Sequence, residues 1–142
     1  MRFMVIVKGD SRTEAGVLPT EAELTTMGKY NQQLIDAGVM VDGAGLQPTS
    51  KGARVGFKNG QVYVTDGPFA ETKEILAGYW IINVKSKAEA IEWAKKIPFN
   101  CLPNNGRDAE VEIRQFFEIE DFPAAPPEVV EQEKKHFSGG RS

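Results

Sequence analysis

The chain has 142 residues, 41% of them hydrophobic, and a formal net charge of −3 from 17 basic and 20 acidic side chains. That length suits one domain with a real core, and mild acidity with no basic cluster argues against direct contact with nucleic acid. One cysteine, Cys101, excludes an internal disulfide and fits a reducing compartment; with no secretory apolar region at the start and no run long enough to span a bilayer, the cytoplasm is expected, with no membrane partner.

Residues 2–8 read as the first strand. Phe3, Val5 and Val7 point one way, Met4 and Ile6 the other, so both faces are apolar, as in a central strand. Residues 9–18 form a polar connector with Asp10, Ser11, Arg12 and Glu14. It leaves the strand's C-terminal end, where it could border a pocket, and is read as solvated. Thr20-Glu21-Ala22-Glu23 has capping-box spacing and opens the first long helix. Leu24, Met27, Tyr30 or Asn31, and Leu34 recur at helical spacing, and Gly38 closes the helix. Tyr30 and Asn31 are explained by packing or a local hydrogen bond.

Residues 39–46 form the second strand, with Gly43 and Gly45 allowing a bulge or a close approach. This GAG is no dinucleotide fingerprint, because the full spacing and a following helix are missing. After a Pro/Ser/Gly turn region, residues 53–65 read as a hairpin closed by Asn59-Gly60 in a type I′ turn. That register sets Phe57 opposite Val62 and Val55 opposite Val64 on one face. Arg54, Tyr63 and Thr65 take the other. The hairpin delivers Asp66 to its own end.

Then comes DGPFAETKE, residues 66–74. Gly67 tolerates unusual backbone angles and Pro68 fixes its own φ. Asp66 reads either as a turn-closing carboxylate reaching the Phe69 N–H or as a catalytic or binding group. Phe69 is expected to anchor the turn in the core; Glu71, Lys73 and Glu74 are expected on the surface. Residues 77–84 form a strand apolar on nearly both faces. Ser86-Lys87-Ala88-Glu89 starts a second helix with Ala90, Trp93, Ala94 and Ile97 on one side and Pro98 at its end. Residues 99–108 are a loop, in which Cys101 reads as a half-buried thiol. Residues 109–117 are the last core strand, with Val111, Ile113, Gln115 and Phe117 on one side. From residue 121 the chain is proline-rich. A short helix entered from Pro127 and a frayed end after Phe137 are expected, with His136, the only histidine, facing solvent.

DGPFAETKE, followed by a Gly-aromatic-apolar strand and the helix SKAEAIEWAKKIP, closely resembles the DGPF family of YCII-related proteins. The resemblance covers about residues 2–120, giving a domain at 1–120 and a Pro-rich tail at 121–142. It implies a ferredoxin-like α+β fold that pairs into a dimer of the α/β-barrel type. The chain's own order agrees: β-α-β-(hairpin)-β-α-β is a split βαβ arrangement, with both helices on one face of an antiparallel sheet. Its other face would leave several hundred Å² of apolar surface bare, at about 25 cal/mol per Å². A second copy packed sheet to sheet is the expected cover, with the tail crossing to the partner as an option.

The residue types narrow the chemistry. One His and one Cys with no clustered spacing give neither a metal site nor a nucleophile triad, and no glycine loop cradles phosphate, so no cofactor is expected. There remains Asp66, as base or ligand, with Arg54, Lys73, Arg107 and Arg114 as polar neighbours; Arg54, Lys73 and Arg114 are the candidate ligand-binding partners. In enzyme-like YCII relatives the conjectured pair is a His on the first helix and an Asp after a strand. Asp66 matches the Asp; no His stands on this helix, and Met27 lies near its expected place. An Asp without that partner can still act as a base or hold a cationic group. Three readings follow: a dimeric domain with a small-molecule pocket beside Asp66, binding-only or weakly catalytic; an accessory module, since relatives occur alongside sigma factors of RNA polymerase; and a lyase or isomerase using Asp66 as base.

Overall fold

The computed structural model describes residues 1–70, 74–102 and 109–137. In chain order it forms β1 (Arg2–Lys8), α1 (Ser11–Glu14), α2 (Glu21–Asp36), β2 (Met40–Gly45), β3 (Ala53–Lys58), β4 (Gln61–Asp66), β5 (Leu76–Asn83), α3 (Lys87–Lys95), β6 (Val111–Gln115) and α4 (Pro127–Phe137). Four strands make one antiparallel sheet in the order β2-β5-β1-β6. That is the strand order of a ferredoxin-like split βαβ unit, as the sequence predicts. Strands β3 and β4 stand outside it as a two-stranded ribbon, inserted between β2 and β5.

Alternation along β1 decides where the core sits. Phe3, Val5 and Val7 are buried and pair with Ile82, Trp80 and Gly78 of β5. They pack with Tyr30 and Leu34 of α2, with Ala90 and Ala94 of α3, and with Ile97 just beyond α3. Both helices therefore cover one face. The opposite face, with Met4, Ile6, Tyr79 and Ile81, is half-buried. Neighbouring strand residues on one face alternate with those on the other, so no single register could bury both sets against the same helices.

The caps form as the spacing predicts. Thr20 Oγ1 accepts from the Glu23 N–H at 3.1 Å and Glu23 accepts from the Thr20 N–H at 3.2 Å. At α3, Ser86 Oγ accepts from the Glu89 N–H at 3.1 Å, but the Glu89 carboxylate reaches one residue further, to the Lys85 N–H at 2.9 Å. Gly38 follows α2 with φ 73°, the left-handed geometry of a closing glycine. The stripe of α2 is shorter than predicted: Leu24 is exposed, and burial starts with half-buried Met27. Phe117 is exposed as well, because β6 ends at Gln115. α4 begins on Pro127, as predicted, and exposed His136 lies in its last turn. The predicted frayed end after Phe137 lies outside the described residues.

Residues 9–18 are largely exposed, as expected, but the connector begins with local structure. Asp10 caps a one-turn helix: its Oδ1 accepts from the Thr13 N–H at 2.8 Å, while Thr13 Oγ1 accepts from the Asp10 N–H at 2.9 Å. Asp10 is 7% exposed. A capping pair separated by three residues is the same signal that marks Thr20, here with the roles split between Asp and Thr.

Tyr30 shows how the polar groups of the core are handled. Its hydroxyl donates to the Trp93 carbonyl at 2.7 Å, and its ring meets Trp80 edge to face at 5.5 Å. Trp80 Nε1 donates to Asn31 Oδ1 at 2.8 Å. Burial pushes the Tyr30 hydroxyl up to about 12, since the phenolate would lose its hydration. A tyrosine raised in the folded state keeps its proton when the unfolded chain has lost it. Its contribution is therefore full below the ordinary tyrosine value near 10 and is lost as pH climbs to about 12. Denaturant unfolding of wild type and Tyr30→Phe across that window checks this: the wild type is expected to lose more stability than the variant over the same rise. Among the described residues no helix is long and apolar enough to cross a membrane.

Candidate functional site

The DGPF bend is held by contacts that come from far along the chain. A 3-10 turn at Thr49–Lys51 follows β2. Thr49 donates its hydroxyl to Glu14 Oε2 at 2.5 Å and its N–H to Glu14 Oε1 at 3.1 Å. The same Thr49 Oγ1 accepts from the Phe69 N–H at 3.0 Å. The Gly67 N–H donates to the Gly52 carbonyl at 3.0 Å. Gly67 lies so close that a Cβ would fall onto the Thr49 carbonyl oxygen. The Gly67–Pro68 peptide is cis. Downstream, the Gly9 N–H donates to the Ile75 carbonyl at 2.7 Å, tying the return into β5 to the end of β1.

Two readings of the motif change on this geometry. Asp66 does not close the turn; Thr49 takes the Phe69 N–H instead. Phe69 does not enter the core: it is half-buried, with the Arg54 guanidinium 3.9 Å from its ring centroid. Such stacking orients an arginine and adds about 0.5–1 kcal/mol where solvent reaches it.

Asp66 ends β4, opposite Ala53, and is exposed. Paired residues share a face, so Asp66 lies on the side of Val55, Phe57, Val62 and Val64, while Arg54, opposite Thr65, lies on the other. Among the described residues its carboxylate makes no side-chain hydrogen bond or ion pair. Arg114 is on β6, opposite Met4 and so on the half-buried face of the main sheet, with Glu112 at 3.9 Å. Asp66, Arg54 and Arg114 are thus not linked directly within one chain. Lys73 and Arg107, and the surface position of Glu71, lie outside the described residues; Glu74 is exposed, as expected.

A cleft that the sequence hints at sits elsewhere, where β1 delivers the chain to α1. It measures about 110 Å³ and is lined by Asp10, Arg12, Thr13, Glu23, Cys101 and Leu102 among others. Typical small-molecule pockets hold roughly 300–1,000 Å³, so it is a notch for a few waters or a small polar group. Asp66 is not in its lining. Cys101 is half-buried there, as expected. Sequence reasoning missed Glu14 and Thr49, whose pairing positions the bend. The only local signal was that both flank polar turns; nothing in spacing says that residues 35 apart will meet.

One more charged pair lies along the sheet edge. The Lys8 ammonium donates to the Glu110 carboxylate. That hydrogen bond raises the lysine above its ordinary value and lowers the glutamate below its own. Both groups are solvent-facing, so this ion pair contributes little to stability.

Comparison with known proteins adds the following. The YCII-related domain model matches residues 1–117. A protein of Rhizobium meliloti (strain 1021), described as uncharacterized, is 34% identical over 108 residues, which is 75% of this chain and 86% of that protein. Among solved structures, 5-chloro-2-hydroxyhydroquinone dehydrochlorinase from Burkholderia phenoliruptrix AC1100, in complex with 2,5-dihydroxybenzoquinone, is similar at 13% identity with a TM-score of 0.47, over 85% of this chain and 98% of that one.

Proposed function

The chain belongs to the YCII-related domain family, and we propose that it works as a homodimer holding a small organic molecule at Asp66. One observation carries the site: the bend bearing Asp66 is tied at Gly67 and Phe69 to the turn at Thr49–Gly52, yet the carboxylate has no partner among the described residues. A rigidly presented carboxylate with all its acceptor sites open is suited to an N–H or O–H of a ligand, or to a cationic group. It can also take a proton from one, which is the catalytic form of the same reading. Arg54, oriented by Phe69, flanks the bend, and Arg114 belongs to the face that a second copy would cover.

The half-buried sheet face supports the dimer. Met4, Ile6, Tyr79 and Ile81 lie opposite the helix-covered core, and a second sheet packed about 10 Å away would bury them. Sedimentation of the purified chain is expected to give twice the monomer mass; a lone monomer at high micromolar concentration would remove the dimer.

The site is tested with a panel of small amines and hydroxylated compounds, read by thermal shift and by turnover. A hydrogen bond to a charged group contributes about 1.5–3 kcal/mol, so Asp66→Ala should weaken the best binder at least tenfold. Equal binding and equal turnover in wild type and Asp66→Ala would reject Asp66 as ligand and as base.

A further inference from the structure

We infer that the β3–β4 ribbon is an arm whose apolar face seats on a second copy of this chain, carrying Asp66 against the partner. This rests on the homodimer reading above and adds a surface to it.

The ribbon is well shaped, but its apolar face is left exposed. Among the described residues its two strands form a sheet of their own with no third strand. At the tip, Asn59 and Gly60 have φ 53° and 76°, the geometry a type I′ turn needs. At the base, Thr49 and Gly52 bind the bend. Between these fixed ends, Val55 faces Val64 and Phe57 faces Val62. All four are between 64% and 71% exposed. The other face carries Arg54, Lys58, Gln61 and Thr65, with the Tyr63 ring folded over Gly56. Single exposed apolar residues are ordinary on a protein surface; four in contiguous pairs on a projecting ribbon are not. A two-stranded hairpin is also marginal in water unless its apolar face is packed.

The choice of occupant follows from the rest of the molecule. The chain has a second surface of the same character, the half-buried sheet face with Met4, Ile6, Tyr79 and Ile81. A two-fold pair uses every surface twice, so one symmetric contact can cover both arms and both sheet faces. A standard stable interface takes roughly 800 Å² per partner, a requirement that a contact using both surfaces serves better than the arm by itself. A foreign protein seated on the arm would leave the sheet face bare. No charge lies on the arm face between Val55 and Val64, so symmetric pairing meets no like-charge repulsion there. Register then gives the consequence: Asp66 shares that face, so seating the arm places it at the rim of the contact, and each site borrows a wall from the partner.

Sedimentation of the full chain tests this. Wild type is expected to dimerise, and Phe57→Lys to weaken association roughly 100-fold or more, as removal of a central contact does, with an unchanged far-UV spectrum. Because Phe57 is exposed in one chain, the variant keeps its fold. Should it not, Phe57→Cys in a Cys101→Ser chain, labelled with a solvent-sensitive fluorophore, decides instead. Its emission should shift to the blue as concentration rises through the dissociation constant. A wild-type dimer with Phe57→Lys equally tight, or with an unshifted fluorophore, overturns the arm and leaves the sheet-to-sheet dimer standing. A monomeric wild type overturns both.

Discussion

Gly67→Ala will detach the DGPF bend from the turn at Thr49–Lys51 and lower stability by about 3 kcal/mol or more, the size expected when backbone must move. For a domain of this length that is a melting temperature lower by on the order of 10 °C. The reason is steric and specific. The atom that a new Cβ meets is the Thr49 carbonyl oxygen, which is main chain and cannot swing aside. Moving it would also strain the Phe69 N–H bond to Thr49 Oγ1 and the paired bonds to Glu14. A contrast within the same protein controls for the substitution itself. Gly28 lies inside α2 with nothing within 4 Å of its would-be Cβ. Gly28→Ala should therefore raise stability by about 0.8–1 kcal/mol, the propensity difference in a helix interior. Thermal unfolding of the two variants settles the matter: equal effects of one sign would mean the close approach at Gly67 does not constrain the bend.

Phe3→Ala is expected to cost about 3–5 kcal/mol, the range for emptying a phenylalanine site in a packed core. Phe3 is 1% exposed, between the two strands that flank β1 and under α2 and α3. Phe57→Ala is the matched comparison. The same side chain on the ribbon is almost bare, so within a single chain its loss should change stability by less than about 0.5 kcal/mol. Denaturant unfolding at low chain concentration gives both numbers. A large cost for Phe57→Ala under dilute conditions would show that the ribbon packs on its own body.

What was legible in the sequence was local or periodic. Thr20 and Glu23 sit three residues apart and cap the helix they announce. Asn59-Gly60 sets the ribbon's register, and Val55–Val64 and Phe57–Val62 pair as that turn demands. Alternation in β1 and β5 told which residues share a face, and the resulting β2-β5-β1-β6 order follows from the helix positions. What was not legible depended on contacts between distant segments. Nothing near Asp66 says that Thr49 will take the Phe69 N–H, so a turn-closing role for the carboxylate remained open. Nothing near Phe69 says that Arg54 will lie over it and keep it at the surface. Asp10 looked solvated because its capping partner, Thr13, opens a helix of one turn, too short to show a period. The candidate site suffers most from this, since its parts come from β4, the turn after β2 and the sheet edge at β6.

The place of β1 in the sheet has a kinetic side. Both of its neighbours lie far along the chain: β5 begins at Leu76 and β6 at Val111. As the chain leaves the ribosome, the pairing available early is the short-range ribbon, while Phe3, Val5 and Val7 wait without strand partners. Closing such long loops before any reward arrives slows folding. β1, apolar on both faces, is therefore open to wrong contacts until β5 and β6 have been made.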